Sequence, residues 1–266
     1  MIRRLTALFS FELSKALRWK FTYISFAMAA VGCVLASILP EYLHHFKDAE
    51  INGYTLTAIV AHYAVFPIGA LLTTVFAALV VGQEYSCRTL PTLMSGPVRR
   101  LEVAAAKFVL VAAYDLALVV FIYSFSMVMT AFVNGYEKVV IDTSTSITLG
   151  QVWPMYVAGA IFSTIPLIAA SAAVMAITVI AENPGTAIGV SIGGALLLFL
   201  LGFSTFPDYL LVTSYFGTAT TMLLDMGEQI DVAWFPDMIE MLLVSAAYVA
   251  VSLGVYGFVF QRKDAV

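Results

Sequence analysis

Residues able to do chemistry are few in this chain and lie far apart. Asp115 is the one acid well inside an apolar stretch, about 12 Å beyond Lys107 along a helix rising about 1.5 Å per residue. An intramembrane carboxylate is by default a functional-site candidate, here a candidate for a translocation path. With no Lys or Arg at its depth, it needs Tyr, Ser or Thr hydroxyls, or its own proton. The plainer alternative is a hydrogen-bonded structural Asp, or one facing water near the inner mouth. His44, His45 and His62 lie at or near the outer ends of the first two apolar stretches. Adjacent His44 and His45 cannot share a helix face, and no cysteine or acid completes a set, so no metal site is expected. Cys33 lies in an apolar stretch and Cys87 in a charged one, so no disulfide framework is expected. No Lys follows a Gly anywhere, which excludes a phosphate-binding GxxxxGK(S/T) loop. No residue reads as catalytic, and no cofactor is expected in this chain.

The remaining chemistry-bearing feature is the charged segment 83–107, which holds four of the thirteen Lys and Arg residues: Arg88, Arg99, Arg100 and Lys107. It lies between two stretches long enough to cross a bilayer. A short helical patch of this kind is where a soluble partner can push a membrane protein.

Composition explains the setting. Of 266 residues, 61% are hydrophobic and 11% charged, against about 45–50% and about 25% in soluble domains. With a mean hydropathy of +0.95, the chain has too much apolar surface for one core, and lipid must be its solvent. The net charge of -4 argues against a nucleic-acid partner.

Six stretches approach the length of about 20 apolar residues that a span needs. They are Phe21–Leu39, Ala58–Gly82, Val103–Phe132, Trp153–Ala181, Thr186–Phe203 and Ile239–Phe260. The fold expected is an all-α polytopic membrane protein, a single transmembrane domain over 1–266. Every Lys and Arg except Lys47 and Lys138 falls in the N-terminal segment, the loop after the second span with the start of the third span, or the tail. By the positive-inside rule both termini and that loop are cytoplasmic, which favours an even number of spans. Residues 1–20 are expected to form an amphipathic interfacial helix. Leu5, Leu8, Phe9, Leu13, Ala16 and Leu17 share one side, Arg4, Ser14, Lys15 and Arg18 the other, and Phe11 and Glu12 spoil the pattern. No signal peptide is expected.

The loop 204–238 is acidic, with Asp208, Asp225, Glu228, Asp231 and Asp237 and no Lys or Arg. Its stretch Phe206–Leu224 is too apolar for a solvated loop and too broken to cross. Two short helices dipping into the outer leaflet are expected, as a lid over a pathway. Pro166 should kink the fourth span, and Glu182-Asn183-Pro184-Gly185 reads as a tight turn. Gly185, Gly189 and Gly193 recur on one helix face, suited to contact with a neighbouring span or with a second subunit.

Glu84-Tyr85, Thr89-Leu90, Thr92-Leu93-Met94, Pro97, Arg99 and Lys107 resemble a pattern in the ABC-2 type family of ABC transporter permeases. Arg88 stands where that family usually has Gly, and Pro91 where a polar or basic residue is common. The ending Phe260-Gln261-Arg262-Lys263-Asp264, the N-terminal helix, the six spans and the long external loop are similar too. The resemblance implies a half-transporter in the cell membrane: two permeases, identical or homologous, with two cytoplasmic ABC ATPase subunits that carry ATP and Mg. It implies that 83–102 forms a coupling helix docked on the ATPase, with Glu84, Tyr85, Arg88, Thr89, Leu90, Leu93, Met94 and Arg99 as coupling residues. Glu84 and Arg88 at i,i+4 can brace that helix. Export of a hydrophobic or amphipathic substrate, such as a peptide or antibiotic, is the implied activity. An ion-coupled secondary transporter or channel is the alternative; it calls for several intramembrane charges or a repeat of broken helices.

Overall fold

The structure, a computed structural model, describes residues 2–42, 53–86, 99–133, 139–142, 145–147, 149–201, 211–220, 223 and 234–262. Backbone N–H and C=O groups find no water in a bilayer, so an apolar chain must bond them internally. The described residues accordingly form long helices. They are α1 (Ile2–Ala16), α2 (Lys20–Tyr42), α3 (Gly53–Tyr63), α4 (Ala70–Ser86), α5 (Arg100–Val133), α6 (Leu149–Ala181), α7 (Pro184–Leu201) and α8 (Trp234–Arg262). Five helical units are long and apolar enough to cross a membrane: α2, α3 with α4, α5, α6 and α8. The fifth expected span falls on the 18-residue α7, a mainly apolar helix that is not among these five.

The all-helical expectation has one exception outside these helices. Strands β1 (Val139–Asp142) and β2 (Thr145–Ile147) pair antiparallel between α5 and α6, Val139 opposite Ile147.

Helix α6 is the centre, packed against α4, α5, α7 and α8, while α5 carries α1, α2 and α3 on its other sides. Thr164 and Thr178 donate to the carbonyls of Ala160 and Val174, so their hydroxyls are satisfied within α6. Phe76 of α4 stacks on Tyr114 of α5 with ring centroids 3.7 Å apart, and Phe26 of α2 packs edge-on against Tyr114 and Phe121. The outward faces, including Phe132, Leu243 and Val251, are exposed apolar side chains, as lipid contact requires.

Pro166, where a kink is expected, lies inside the fourth span. Helix α6 runs continuously through Pro154 and Pro166. The second span is the one interrupted: Ala64–Gly69 winds as a π turn between α3 and α4, with Phe66 extended at φ -121 and ψ 116. The cause is Pro67, which has no N–H to donate and pushes the preceding residue out of the helical region. The extended Phe66 puts its ring 5.8 Å from that of Phe216.

Phe216 belongs to the described part of the loop before α8, where Val212–Tyr215 forms a 3-10 turn. That piece is buried against the helices; the rest of the expected pair of dipping helices falls mostly outside the described residues. The segment is tied to α3 by His62. Thr220 Oγ1 lies 2.7 Å from His62 Nδ1 and itself donates to the Gly217 carbonyl. A hydroxyl has one proton to give, so His62 must donate from Nδ1. Gly217 permits the approach, because a Cβ there would lie 2.5 Å from His62 Cε1. His62→Ala is expected to release this segment. A cysteine at Thr218 should then react faster with a small maleimide while the melting temperature of the whole protein changes little; equal rates would show that His62 holds nothing.

Candidate functional site

Helix α1 meets the bundle with the expected apolar side: Ala16 is buried and Phe9 and Leu13 pack on the core, while Leu17, expected there too, is exposed beyond the helix end. Glu12, the acid that spoils that side, is buried with them. The reason an acid can be buried there is on α5. Lys107 is fully buried, and its Nζ lies 2.8 Å from Glu84 Oε1 and 3.4 Å from Glu12 Oε2. It also donates to the Val80 carbonyl at 2.9 Å. Lys15 closes the group from the exposed side, 3.5 Å from Glu84 Oε1 and 4.0 Å from Glu12 Oε2. Two acids and two bases from α1, α4 and α5 therefore form one compact cluster with no net charge.

An ammonium has three N–H donors, and three oxygens from α1 and α4 surround this one. Hydrogen bonds run to Glu12 and Val80, while Glu84 is an ion-pair contact. Buried charges survive in low dielectric only when neutralised and hydrogen-bonded. Glu84, expected to brace a helix with Arg88, is engaged here by Lys107 and Lys15. The sequence held a signal: Glu12 was the residue that spoiled the amphipathic pattern of α1.

The cluster sits at the edge of the charged segment between α4 and α5. Arg88, Thr89, Leu90, Leu93 and Met94 lie outside the described residues, but both flanks are in place. On one side Tyr85 is half-buried beside Glu84. On the other, Arg99 opens α5, its N–H donating to Glu102 Oε2 at 3.2 Å, half of a capping box. Arg100 then donates to the Gln261 carbonyl at 3.0 Å, tying the start of α5 to the last turn of α8, where a cation suits the free carbonyls.

Asp115 is fully buried on α5, close to Ser171 of α6. Neither carboxylate oxygen has a hydrogen-bond partner among the described residues. It does not line the cavity described next.

That cavity, of about 430 Å³, is bounded by α4, α6, α7, α8 and the 3-10 turn. Phe66, Leu71, Val174, Leu196 and Phe216 make it apolar, and no lining residue carries a charge. Its few polar groups include Ser191, whose hydroxyl has no partner among the described residues. Of the glycine face on α7, Gly185 lies against its own turn, where a Cβ would be 3.2 Å from Asn183 Oδ1. At Gly189 and Gly193 a Cβ would meet nothing within 4 Å. The described residues give these two no neighbouring helix within the chain. Among them no group of His, Cys, Asp and Glu could hold a metal.

Compared with known protein families, residues 8–196 match the ABC-2 family transporter protein. The chain belongs to that family. The match begins within α1 and ends within α7, so it takes in the charge cluster and the charged segment between α4 and α5. ABC-2 proteins are transport membrane subunits, and the long apolar helices fit a multi-pass membrane protein. No curated protein matches the chain.

Removing one partner from a buried ion pair typically costs about 3–5 kcal/mol. Lys107→Met leaves two acids facing Lys15 alone and is expected to cost that much. Adding Glu84→Gln restores neutrality and should recover most of it. Thermal unfolding of the purified variants in detergent checks both; a double variant no more stable than the single one would show that charge balance is not what the cluster provides.

Proposed function

We propose that this chain is the membrane-spanning subunit of an ATP-driven exporter that moves a hydrophobic or amphipathic molecule, such as a peptide or an antibiotic. The observation that carries the substrate class is the cavity. An uncharged apolar wall gives no partner to a buried ion, which would keep its full desolvation cost. Apolar groups gain from the same wall. The Ser191 hydroxyl, unpaired and facing the cavity, is the group that would bond a polar atom of the cargo.

ATP and Mg bind on two copies of a separate cytoplasmic ABC ATPase. The chain works as a half-transporter beside a second permease, either its own copy or a homologue. In this reading α7 is the fifth of six spans, both termini are cytoplasmic, and the membrane is the cell membrane. The segment 83–102 is the coupling helix, with Leu90, Leu93 and Met94 as its apolar contact and Arg88 and Arg99 at the rim. Support comes from its two ends, where it joins α4 and α5: Glu84 enters the cluster that fixes α1 and α5, and Arg100 reaches α8. A push there meets a braced platform rather than a free loop. The open face at Gly189 and Gly193 supports a subunit contact along α7.

The test is purification of the solubilised chain from its native membrane with mass spectrometry of its companions. An ABC ATPase is expected to co-purify, and to be lost when Leu90 and Met94 are changed to Asp. A chain that purifies without any ATPase would shift the reading to an ion-coupled transporter. In the wild-type complex, apolar peptides should stimulate ATP hydrolysis; Ala195→Trp, which fills the cavity, should abolish the stimulation and keep the ATPase bound. Stimulation that survives Ala195→Trp would place the substrate elsewhere.

A further inference from the structure

Gly82 lies one turn before the end of α4, next to the coupling segment, and is buried. A Cβ built there would lie 2.6 Å from Pro184 Cβ, 2.9 Å from its Cα and 3.0 Å from its Cδ. No rotamer change relieves such a clash, because the atoms belong to a backbone and a closed ring. The end of α4 and the first turn of α7 thus touch almost backbone to backbone.

The turn carrying Pro184 is short and stiff. Only Glu182 and Asn183 separate α6 from α7. Glu182 sits at φ 56, the one positive φ outside glycine among the described residues, a conformation that a non-glycine residue holds only under constraint. Asn183 caps α7, its Oδ1 accepting from the N–H groups of Gly185 and Thr186 at 2.8 and 3.3 Å. Pro184 at the first helical position has its φ fixed by the ring. A stiff, capped helix on a two-residue turn has one easy motion, which is to pivot as a rod about that turn.

Further along, α7 supplies Val190, Ser191 and Leu196 to the cavity. Its face at Gly189 and Gly193 meets no neighbour among the described residues. We propose that the Gly82–Pro184 contact is the joint by which movement of the coupling segment is passed to α7 and reshapes the cavity, with Gly82 and Pro184 as positioning residues. This rests on the ATP-driven reading above. Repulsion between touching backbones rises steeply, so displacement of the α4 end is handed to Pro184 with little loss. The long arm of α7 enlarges it at the cavity wall.

The experiment places spin labels at Leu197 of α7 and Leu243 of α8, both exposed, in a variant with Cys33 and Cys87 changed to serine. The label separation is measured in the permease–ATPase complex in lipid, with and without ADP and vanadate. Trapped nucleotide is expected to shift the separation in the parent protein. Gly82→Ala should lose the shift while still trapping nucleotide, and Gly82→Ala with Pro184→Gly should regain it. A shift that persists in Gly82→Ala, or is not regained in the double variant, overturns the joint. Glu182→Gly, which leaves the packing of α4 intact, covers a Gly82 variant that fails to assemble; it should weaken the shift, and an unchanged shift overturns the proposal. A parent complex that traps nucleotide but shows no shift sinks the joint alone. A parent that neither binds an ATPase nor traps nucleotide sinks the ATP-driven reading with it.

Discussion

The structure depends on one constraint: a lysine with no exposed surface has to be neutralised inside a bundle that offers it no water. Lys107 meets that demand by drawing Glu84 from α4 and Glu12 from α1. Each acid then needs a second cation, and Lys15 stands between them. The requirement for neutrality therefore sets the face on which α1 docks and the depth at which α4 ends beside α5. The rest of the α1 junction is consistent with it. Thr22 bonds the Ala16 carbonyl at 2.7 Å, and Trp19 packs on Phe76, so the bend from α1 into α2 is held at both corners. Coulomb attraction weakens slowly with distance compared with packing, but the cost of an unpaired charge here is steep. Such a cluster tolerates movement of its helices together far better than movement apart.

How much of this was legible in the sequence follows from what periodicity can carry. Long apolar runs dictate helices wherever lipid is the solvent, so the helical elements begin and end close to the residues that hydropathy indicates. Charge clusters across helices are different: Glu12, Glu84 and Lys107 are distant in sequence, and only packing brings them together. Glu12 left a trace as an acid on the wrong face, and Glu84 and Lys107 as the charged ends of the family-like pattern. The break at Pro67 was not expected, whereas Pro166, expected to kink the fourth span, lies within a continuous helix. Proline removes the same donor at both positions; what differs is the surroundings, since α6 is packed on four sides whereas the second span bends where Phe66 can meet Phe216. The strands β1 and β2 are too short to rise above the apolar background.

The same solvent constraint separates two regions of the molecule. At the α1 end, fixed charges are allowed because each has an opposite neighbour within a few ångströms, and the result is rigidity. Around the cavity the lining has no charge at all, so nothing electrostatic fixes α7 against α4 or α8 there. Contacts between apolar surfaces are non-directional, and helices held by them can slide or tilt without stranding a polar group. The buried Asp115 lies between these regions on α5 and lines neither the cluster nor the cavity. Its polar neighbour is the Ser171 hydroxyl of α6, so it joins α5 to α6 rather than to either region.

A transporter has to be stiff where it is pushed and yielding where it holds cargo. In the reading proposed above, both properties follow from where charge is placed. α6 joins the regions, touching every large helix around the cavity while remaining continuous through both of its prolines; its own motion would disturb the whole bundle. α7 is the helix with the least to lose. It starts from a two-residue turn, meets no neighbour at Gly189 and Gly193 among the described residues, and rests against α4 through the close Gly82–Pro184 contact. If the cavity changes shape during transport, the cheapest path is therefore rotation of α7 against a stationary α6. That direction of motion is imposed by packing and charge placement rather than by the chemistry of the substrate.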